Sequence, residues 1–424
     1  MNRYRIIDFI RKTHSVEECR AYEEIYERDD VHEFALMMQR KNLISFLKYL
    51  RTNVFFAGFL QDVDEAIIEN SPYDVIKLLP ITDKDLIRDH FDLIHNVCYR
   101  GESNYTGGST GSPFHYIVDK QSLSKTIGYT LSSWRVFGNY DFEDNVLVVG
   151  GSSLGDKESL KKAVLHYLQR RTYVSGGEIT LNNAIRFADI INEARKQIVL
   201  YGYPSSICEY VNILNDKGIS INIDNIKSVL TTSETLSLDR REHLQSFFRK
   251  KVVNLYGARD GGISAVSIND EEFYYNGCDC FVENIEFDGN NELVVTNLFS
   301  HAFPFVRYRI GDVADVSTCL NGYPFKLSNL LGRTRDFIKI ADGGRVHGSL
   351  INKILKPYPI VEYQIVQHSD TSCDISLVAS HDFNHDAVED DFFNVLASLV
   401  LRFHYVDSIP RLKNNKLRNI ISEL

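Results

Sequence analysis

The chain has 424 residues and a formal net charge of −10, with 44% apolar and 25% charged side chains. That is the make-up of an ordinary globular protein, long enough for two or three domains. No Lys/Arg stripe concentrates positive charge, which argues against a nucleic-acid partner, and no apolar run reaches the roughly 18 residues of a membrane-spanning helix. The seven cysteines (19, 98, 208, 278, 280, 319 and 373) are odd in number and dispersed. They form no disulfide framework and fit a reducing, cytoplasmic location. A charge interrupts the only apolar stretch at the N-terminus, which argues against a secretory signal.

In chain order, residues 1–100 read mostly as helices, with charged and apolar residues at helical spacing through Val16–Asp29 and His32–Leu50. In Leu79-Pro-Ile-Thr-Asp-Lys84, Pro80 ends one element, and Thr82 or Asp83 can cap the next helix. From about 115 onward, short apolar runs alternate with helices. Asn145–Val149, Gln197–Leu200, Val252–Leu255 and Glu292–Thr296 read as strands, giving layered α/β architecture with buried strands. Beyond about 334 the character changes. Phe337–Ile340 and Arg345–Val346 flank a hairpin-type turn at Asp342-Gly-Gly344, and Val361–Gln367 and Ser372–Ala379 form a second strand pair. Asp386–Phe403 reads as one helix. The expected division is a large domain over 1–334, with a helical lead-in over 1–100, and a small mobile α+β domain over 335–424. Cys278-Asp-Cys280 reads as two buried thiols on one face of a strand, since no second Cys/His pair completes a metal site.

The loop Tyr105-Thr-Gly-Gly-Ser-Thr-Gly-Ser-Pro113 interleaves Gly107, Gly108 and Gly111 with Thr106, Ser109 and Thr110. Glycines let consecutive N–H groups converge on an anion, and hydroxyls add donors, so the loop suits a polyphosphate. No Gly-Lys-Ser/Thr follows, so it is not a Walker A loop. Further pieces lie downstream. Tyr256 can stack on a purine, and Gly257 lets a nucleotide approach the backbone. Asp260 or Glu234 can meet Mg²⁺. Asp312, beside Arg307 and Arg309, can accept ribose hydroxyls, and Lys416 can neutralise phosphate charge. Plainer roles remain open for the same residues. Tyr256 fits a core position; Arg307, Arg309 and Asp312 fit a structural ion-pair cluster; Glu234 fits a surface residue or helix cap; Lys413 and Lys416 fit a solvated tail.

Taken in order, these segments resemble the adenylate-forming superfamily of acyl-CoA synthetases, adenylation domains and luciferases. The glycine loop looks like its phosphate loop, and Tyr256-Gly257-Ala-Arg-Asp260 is similar to its Tyr-Gly-x-x-Glu segment. Arg307-Tyr-Arg309-Ile-Gly-Asp312 resembles its ribose motif, and Gly332-Arg333 its hinge motif. Pro410 to Leu417 resembles Pro-x-x-x-Asn-Gly-Lys-Leu. Leu79–Lys84 and Gly202-Tyr-Pro-Ser205 look like the phenylacetate–CoA ligase and CapK-like branch.

The resemblance implies an α/β fold with a small C-terminal domain on a hinge. It implies an ATP- and Mg²⁺-dependent ligase that joins a small carboxylic acid to AMP and passes the acyl group to a thiol, amine or hydroxyl. Lys416 and Arg333 would be catalytic. Thr106, Gly107, Gly108, Ser109, Thr110, Gly111, Glu234, Tyr256, Gly257, Arg309 and Asp312 would bind ATP, and Asp260 the metal. A CapK-like ligase with its own acceptor is the leading reading. An acyl- or aryl-CoA ligase using coenzyme A is the second, and a degenerate nucleotide-binding partner protein the third. The chain departs from the family pattern at Phe114 and His115, where many members carry a lysine, at Asp260 for glutamate, at the Thr232–Thr235 turn, at Arg335 in the hinge, and at Asn415 for glycine.

Overall fold

A computed structural model describes residues 3–106, 114–150, 160–177, 179–269, 271–287, 290–333, 337–340, 345–355, 357–369, 371–379, 381–410, 417 and 419–422. Contacts divide the chain into two compact units. One is Met1–Phe142 with Leu255–Leu330, and the other is Glu143–Asn254 with Leu331–Leu424.

The first unit opens with helices α1 (Arg3–Arg11), α2 (Ser15–Glu27), α3 (Val31–Leu50), α4 (Glu65–Asn70), α5 (Pro72–Val75), α6 (Lys84–Asp89) and α7 (Phe91–Ile94). The hairpin β1 (Gly101–Thr106) and β2 (Phe114–Asp119) follows, then α8 (Lys120–Gly138). Asp83 accepts from the amides of Asp85 and Leu86 at 3.1 and 2.9 Å and so caps α6. Gly128 lets α8 lie directly on α2, because a Cβ there would fall 2.3 Å from that of Glu18. This close packing brings Lys125 of α8 to Glu18 at 2.6 Å and to Asp279 at 3.5 Å.

Burial raises the Asp279 carboxyl from its ordinary 3.8 to about 6, against the pull of Lys125. A raised carboxyl contributes most to stability below about pH 4, and that contribution is lost as the pH climbs to about 6. Asp279→Asn is therefore expected to flatten the pH dependence of urea unfolding across that window. A slope equal to the parent's would show that Asp279 does not set it.

The second unit continues the chain with β3 (Asn145–Gly150), α9 (Leu160–Leu168), β4 (Arg171–Ser175), α10 (Leu181–Asn192), β5 (Ile198–Gly202), α11 (Pro204–Lys217), β6 (Ile226–Thr232) and α12 (Leu238–Phe248). The strands run parallel in the order β4-β3-β5-β6. Uninterrupted apolar runs such as Val146–Val149 and Ile198–Leu200 are buried, as a sheet covered on both faces requires. The strand order reverses between β3 and β5. In open α/β sheets the crevice outside the carboxyl ends at such a switch point is the usual ligand site. Gly202 lies at that end of β5, and a Cβ on it would fall 2.1 Å from the Val149 carbonyl oxygen. Gly202→Ala is expected to cost about 1–3 kcal/mol by forcing β3 and β5 apart. A urea midpoint within error of the parent's would refute this.

Strand β7 (Val252–Ala258) leads back into the first unit, where Leu255–Ala258 pair antiparallel with β8 (Ile263–Ser267). There β9 (Glu272–Tyr275), β10 (Cys280–Phe287), β11 (Asn290–Asn297), β12 (Tyr308–Thr318) and β13 (Phe325–Arg333) give the order β10-β11-β12-β13-β9-β8, with β10–β11, β11–β12, β13–β9 and β9–β8 antiparallel. Cys278 lies in the turn before β10 and Cys280 begins the strand. Both thiols are buried and free, and burial pushes that of Cys278 up to about 12.

The last segment of the second unit has a core of its own, built on Ile338, Ile365, Ile375, Phe392 and Ile420. It comprises β14 (Phe337–Lys339), β15 (Arg345–His347), α13 (Gly348–Leu355), β16 (Ile360–Ser369), β17 (Ser372–Ala379), α14 (His385–Val395), β18 (Val400–Tyr405) and β19 (Ile420–Ser422). The single helix expected over Asp386–Phe403 is corrected here. The helix stops at Val395, and β18 runs parallel to β17 with Phe403 opposite Ile375. The alternation Leu401-Arg-Phe403-His is a strand pattern, but neither glycine nor proline marks the break before it.

Candidate active site

In the first unit, β7 carries Tyr256 and Gly257 to the edge of the turn into β8. The Tyr256 hydroxyl donates to Asp312 Oδ2 on β12 at 2.7 Å. Gly257 is exposed and pairs with Ser264 of β8. Gly262 turns the chain at φ 73°, where a Cβ would strike the Asn297 side chain, and Gly261 lies against Ile310. The turn thus sits tight on its neighbours, with Asp260 buried.

Asp260 Oδ2 accepts from the Tyr308 hydroxyl at 3.0 Å and pairs with Lys84 Nζ at 3.5 Å. The hydroxyl of Tyr116 is buried with no partner, and burial pushes its pKa upward against Arg259. Asp260 and the Tyr116 hydroxyl are thus polar groups buried within an apolar core.

Lys84 was not among the residues expected from sequence, although its segment was singled out. Thr82 docks that segment onto β12. Its amide donates to Arg307 O at 2.9 Å, its carbonyl accepts from Arg309 N at 2.8 Å, and its hydroxyl donates to Val306 O at 2.8 Å. Arg307, at φ 44°, adds bonds to the carbonyls of Lys77 and Leu79 and a two-pronged pair with Glu283. Arg307 therefore takes the ion-pair role left open for it. Arg309 is held likewise by Glu292, with its guanidinium 4.1 Å from the Phe287 ring centroid.

The expected phosphate loop closes the β1–β2 hairpin. The backbones of Thr106 and Phe114 are its last pair, and Gly107, Gly108, Ser109, Thr110 and Gly111 lie outside the described residues. At the hairpin's end, His115 stacks between Tyr105 and Phe91, with centroids 4.8 and 5.0 Å away. Lys84 Nζ stands 5.9 Å from the Phe114 ring centroid. A lysine from α6 thus stands beside β2, the strand that follows the loop.

In the second unit, Glu234 follows β6 at the carboxyl edge of the parallel sheet. Its Oε2 accepts from the Ser205 amide in the first turn of α11 at 3.2 Å, and its Oε1 from the Leu417 amide at 3.3 Å. Glu234 therefore serves as a helix-end acceptor, the plainer role open to it. Lys416 lies outside the described residues. Arg333 ends β13, its backbone described and its side chain not. Phe137, half-buried, packs edge-on against Tyr26 and Tyr274.

No protein-family model matches the chain. Among solved structures it is similar to 2-hydroxyisobutyryl-CoA ligase in the postadenylation state with 2-HIB-AMP. The TM-score is 0.66 at 15% identity, covering 91% of this chain and 89% of that one. The fold is that of the adenylate-forming ligases. In sequence the chain is 23% identical to Protein CapK of Staphylococcus aureus over 95% of its length and 92% of the relative. It is 29% identical to indoleacetate–lysine synthetase of Pseudomonas savastanoi over 34% of its length and 35% of the relative. The likeness to this superfamily and its CapK branch, expected from the motifs, is borne out, as is the layered α/β fold.

Proposed function

We propose that the chain uses ATP to activate a small carboxylic acid as its acyl-adenylate and then passes the acyl group to an amine or hydroxyl acceptor. The observation that carries this reading is the pairing, within the first unit, of Tyr256 with Asp312 and of Asp260 with Tyr308 and Lys84, which joins three stretches of chain that lie far apart in sequence. Both comparisons support an adenylate-forming ligase. The match to a synthetase that joins indoleacetate to lysine favours an acceptor of its own over coenzyme A.

In this reading Asp312 holds the ribose hydroxyls, and the Tyr256 hydroxyl fixes that carboxylate while its ring faces the base. The glycine loop cradles the β- and γ-phosphates. Among the described residues no group of three His, Cys, Asp or Glu side chains could cage a metal. Asp260 nevertheless offers the single carboxylate that suits Mg²⁺ arriving with a nucleotide. Such an ion would offset charge on the phosphate oxygens. Lys84, already on Asp260, places a second cation beside Phe114 at the start of β2. Lys416 neutralises charge as the acid's oxygen bonds to the α-phosphorus and pyrophosphate departs. The module over 335–424 carries Lys416 and moves about the hinge at Arg333, and the reaction takes place in the cytoplasm.

A panel of carboxylic acids assayed for ATP-dependent pyrophosphate release, with and without coenzyme A, tests the reading. Release with an acid but without coenzyme A consumption is expected. Consumption of coenzyme A would move the chain to the acyl- or aryl-CoA ligases. Silence across the panel would favour a degenerate nucleotide-binding protein.

A further inference from the structure

We infer that Glu234 is a positioning residue, a latch that holds the Lys416-bearing tail at the carboxyl end of the parallel sheet. The inference rests on the reading that Lys416 acts in adenylate formation. Beyond β6 the chain turns through Ser233 in the left-handed region, at φ 70°. That turn aims Glu234 back across the sheet's edge. One carboxylate oxygen takes the Ser205 amide at the start of α11, where helix amides lack partners of their own and the macrodipole favours a negative charge. This contact anchors the carboxylate to the rigid α/β layer. The other oxygen takes the amide of Leu417, the peptide group that joins Leu417 to Lys416. Leu417 is itself buried.

A second tether leaves the same stretch of chain. Arg240, buried on α12, donates from Nε to the Val361 carbonyl at 3.2 Å and pairs with Glu362 at 3.5 Å. Both partners lie on β16, which pairs in parallel with β19 just after Leu417. The segment 234–240 therefore grips the C-terminal module at two points, with one carboxylate and one guanidinium. For the module to leave, both charged groups must give up partners. Glu234 loses an amide, and Arg240 loses a carbonyl and a carboxylate. The latch thus biases the module toward the arrangement in which the Leu417 amide stays on Glu234.

Hydrogen–deuterium exchange on the full chain without ligand tests the latch directly. In Glu234→Gln and Glu234→Ala, amides in peptides spanning 410–424 are expected to exchange at least about fivefold faster, with Gln the milder, while α10 keeps the parent's protection. Pyrophosphate exchange, run with an acid that supports it in the parent, is expected to fall about tenfold with the KM for ATP unchanged. Unaltered protection of the tail in both variants would overturn the latch. So would a uniform loss of protection that includes α10, since Glu234 would then serve only to cap α11. If Lys416→Ala retained the parent's pyrophosphate exchange, the Lys416 reading would fail while the tail's protection still reported on the latch. If Lys416→Ala abolished exchange and Glu234→Ala left it intact, the latch alone would fail.

Discussion

Replacing Lys416 with alanine is expected to lower acyl-adenylate formation by about 10²–10³-fold, the usual cost of removing one charge-stabilising donor from a transition state. ATP binding should change little, because the proposed site draws its ground-state contacts from the glycine loop, Tyr256 and Asp312. A loss confined to kcat is the mark of an interaction made only as the α-phosphate gains charge. Exchange of labelled pyrophosphate into ATP reads the step by itself, without any acceptor. A variant that exchanges at the parent's rate would remove Lys416 from the mechanism. Lys416→Arg keeps the charge but replaces a compact, mobile ammonium with a broad planar fork, and is expected to recover only part of the activity.

The second large effect concerns nucleotide affinity. Asp312→Ala is expected to weaken ATP binding by about 10–100-fold, the cost of losing charge-assisted bonds in a buried setting. Two losses combine. The ribose hydroxyls lose their acceptor, and the Tyr256 hydroxyl, now donating to Asp312 at 2.7 Å, is set adrift. Tyr256→Phe separates them, since it keeps the ring and Asp312 but removes the hydroxyl. It is expected to cost less than Asp312→Ala. Calorimetric titration with ATP measures both variants, and an affinity for Asp312→Ala equal to the parent's would contradict the assignment.

Much of this was legible in the sequence where one local signal dominated. The runs Val146–Val149 and Ile198–Leu200 admit little besides buried parallel strands, and the fold uses them so. The order of the motifs carried the superfamily. What stayed hidden depends on pairing across long stretches of chain. Lys84 reaches Asp260 only because Thr82 bridges to Tyr308 and Arg307 grips the carbonyls ahead of it. No spacing rule joins residue 84 to residue 260. Glu234 shows the same limit, since its partners belong to a helix start earlier in the chain and to a tail far beyond it. Arg309 was read as a nucleotide ligand beside a plainer alternative, and the fold pairs its guanidinium with both oxygens of buried Glu292. The helix read through Phe403 failed for a different reason. Its last residues carry strand alternation, and the break is made by partner strand β17, not by any local stop signal.

The first unit is assembled from Met1–Phe142 and Leu255–Leu330, with the second unit's α/β layer inserted between them. During synthesis, then, the N-terminal helices and the β1–β2 hairpin must wait for more than a hundred further residues before the strands that complete their core leave the ribosome. Phe46, Phe56, Phe114 and Tyr116 share one core with residues of the later strands, among them Ala265, Leu293 and Tyr308, and so reach their full burial only when those strands arrive. The parallel layer from β3 to α12 is continuous in sequence, so its strands need no later part of the chain to pair with one another.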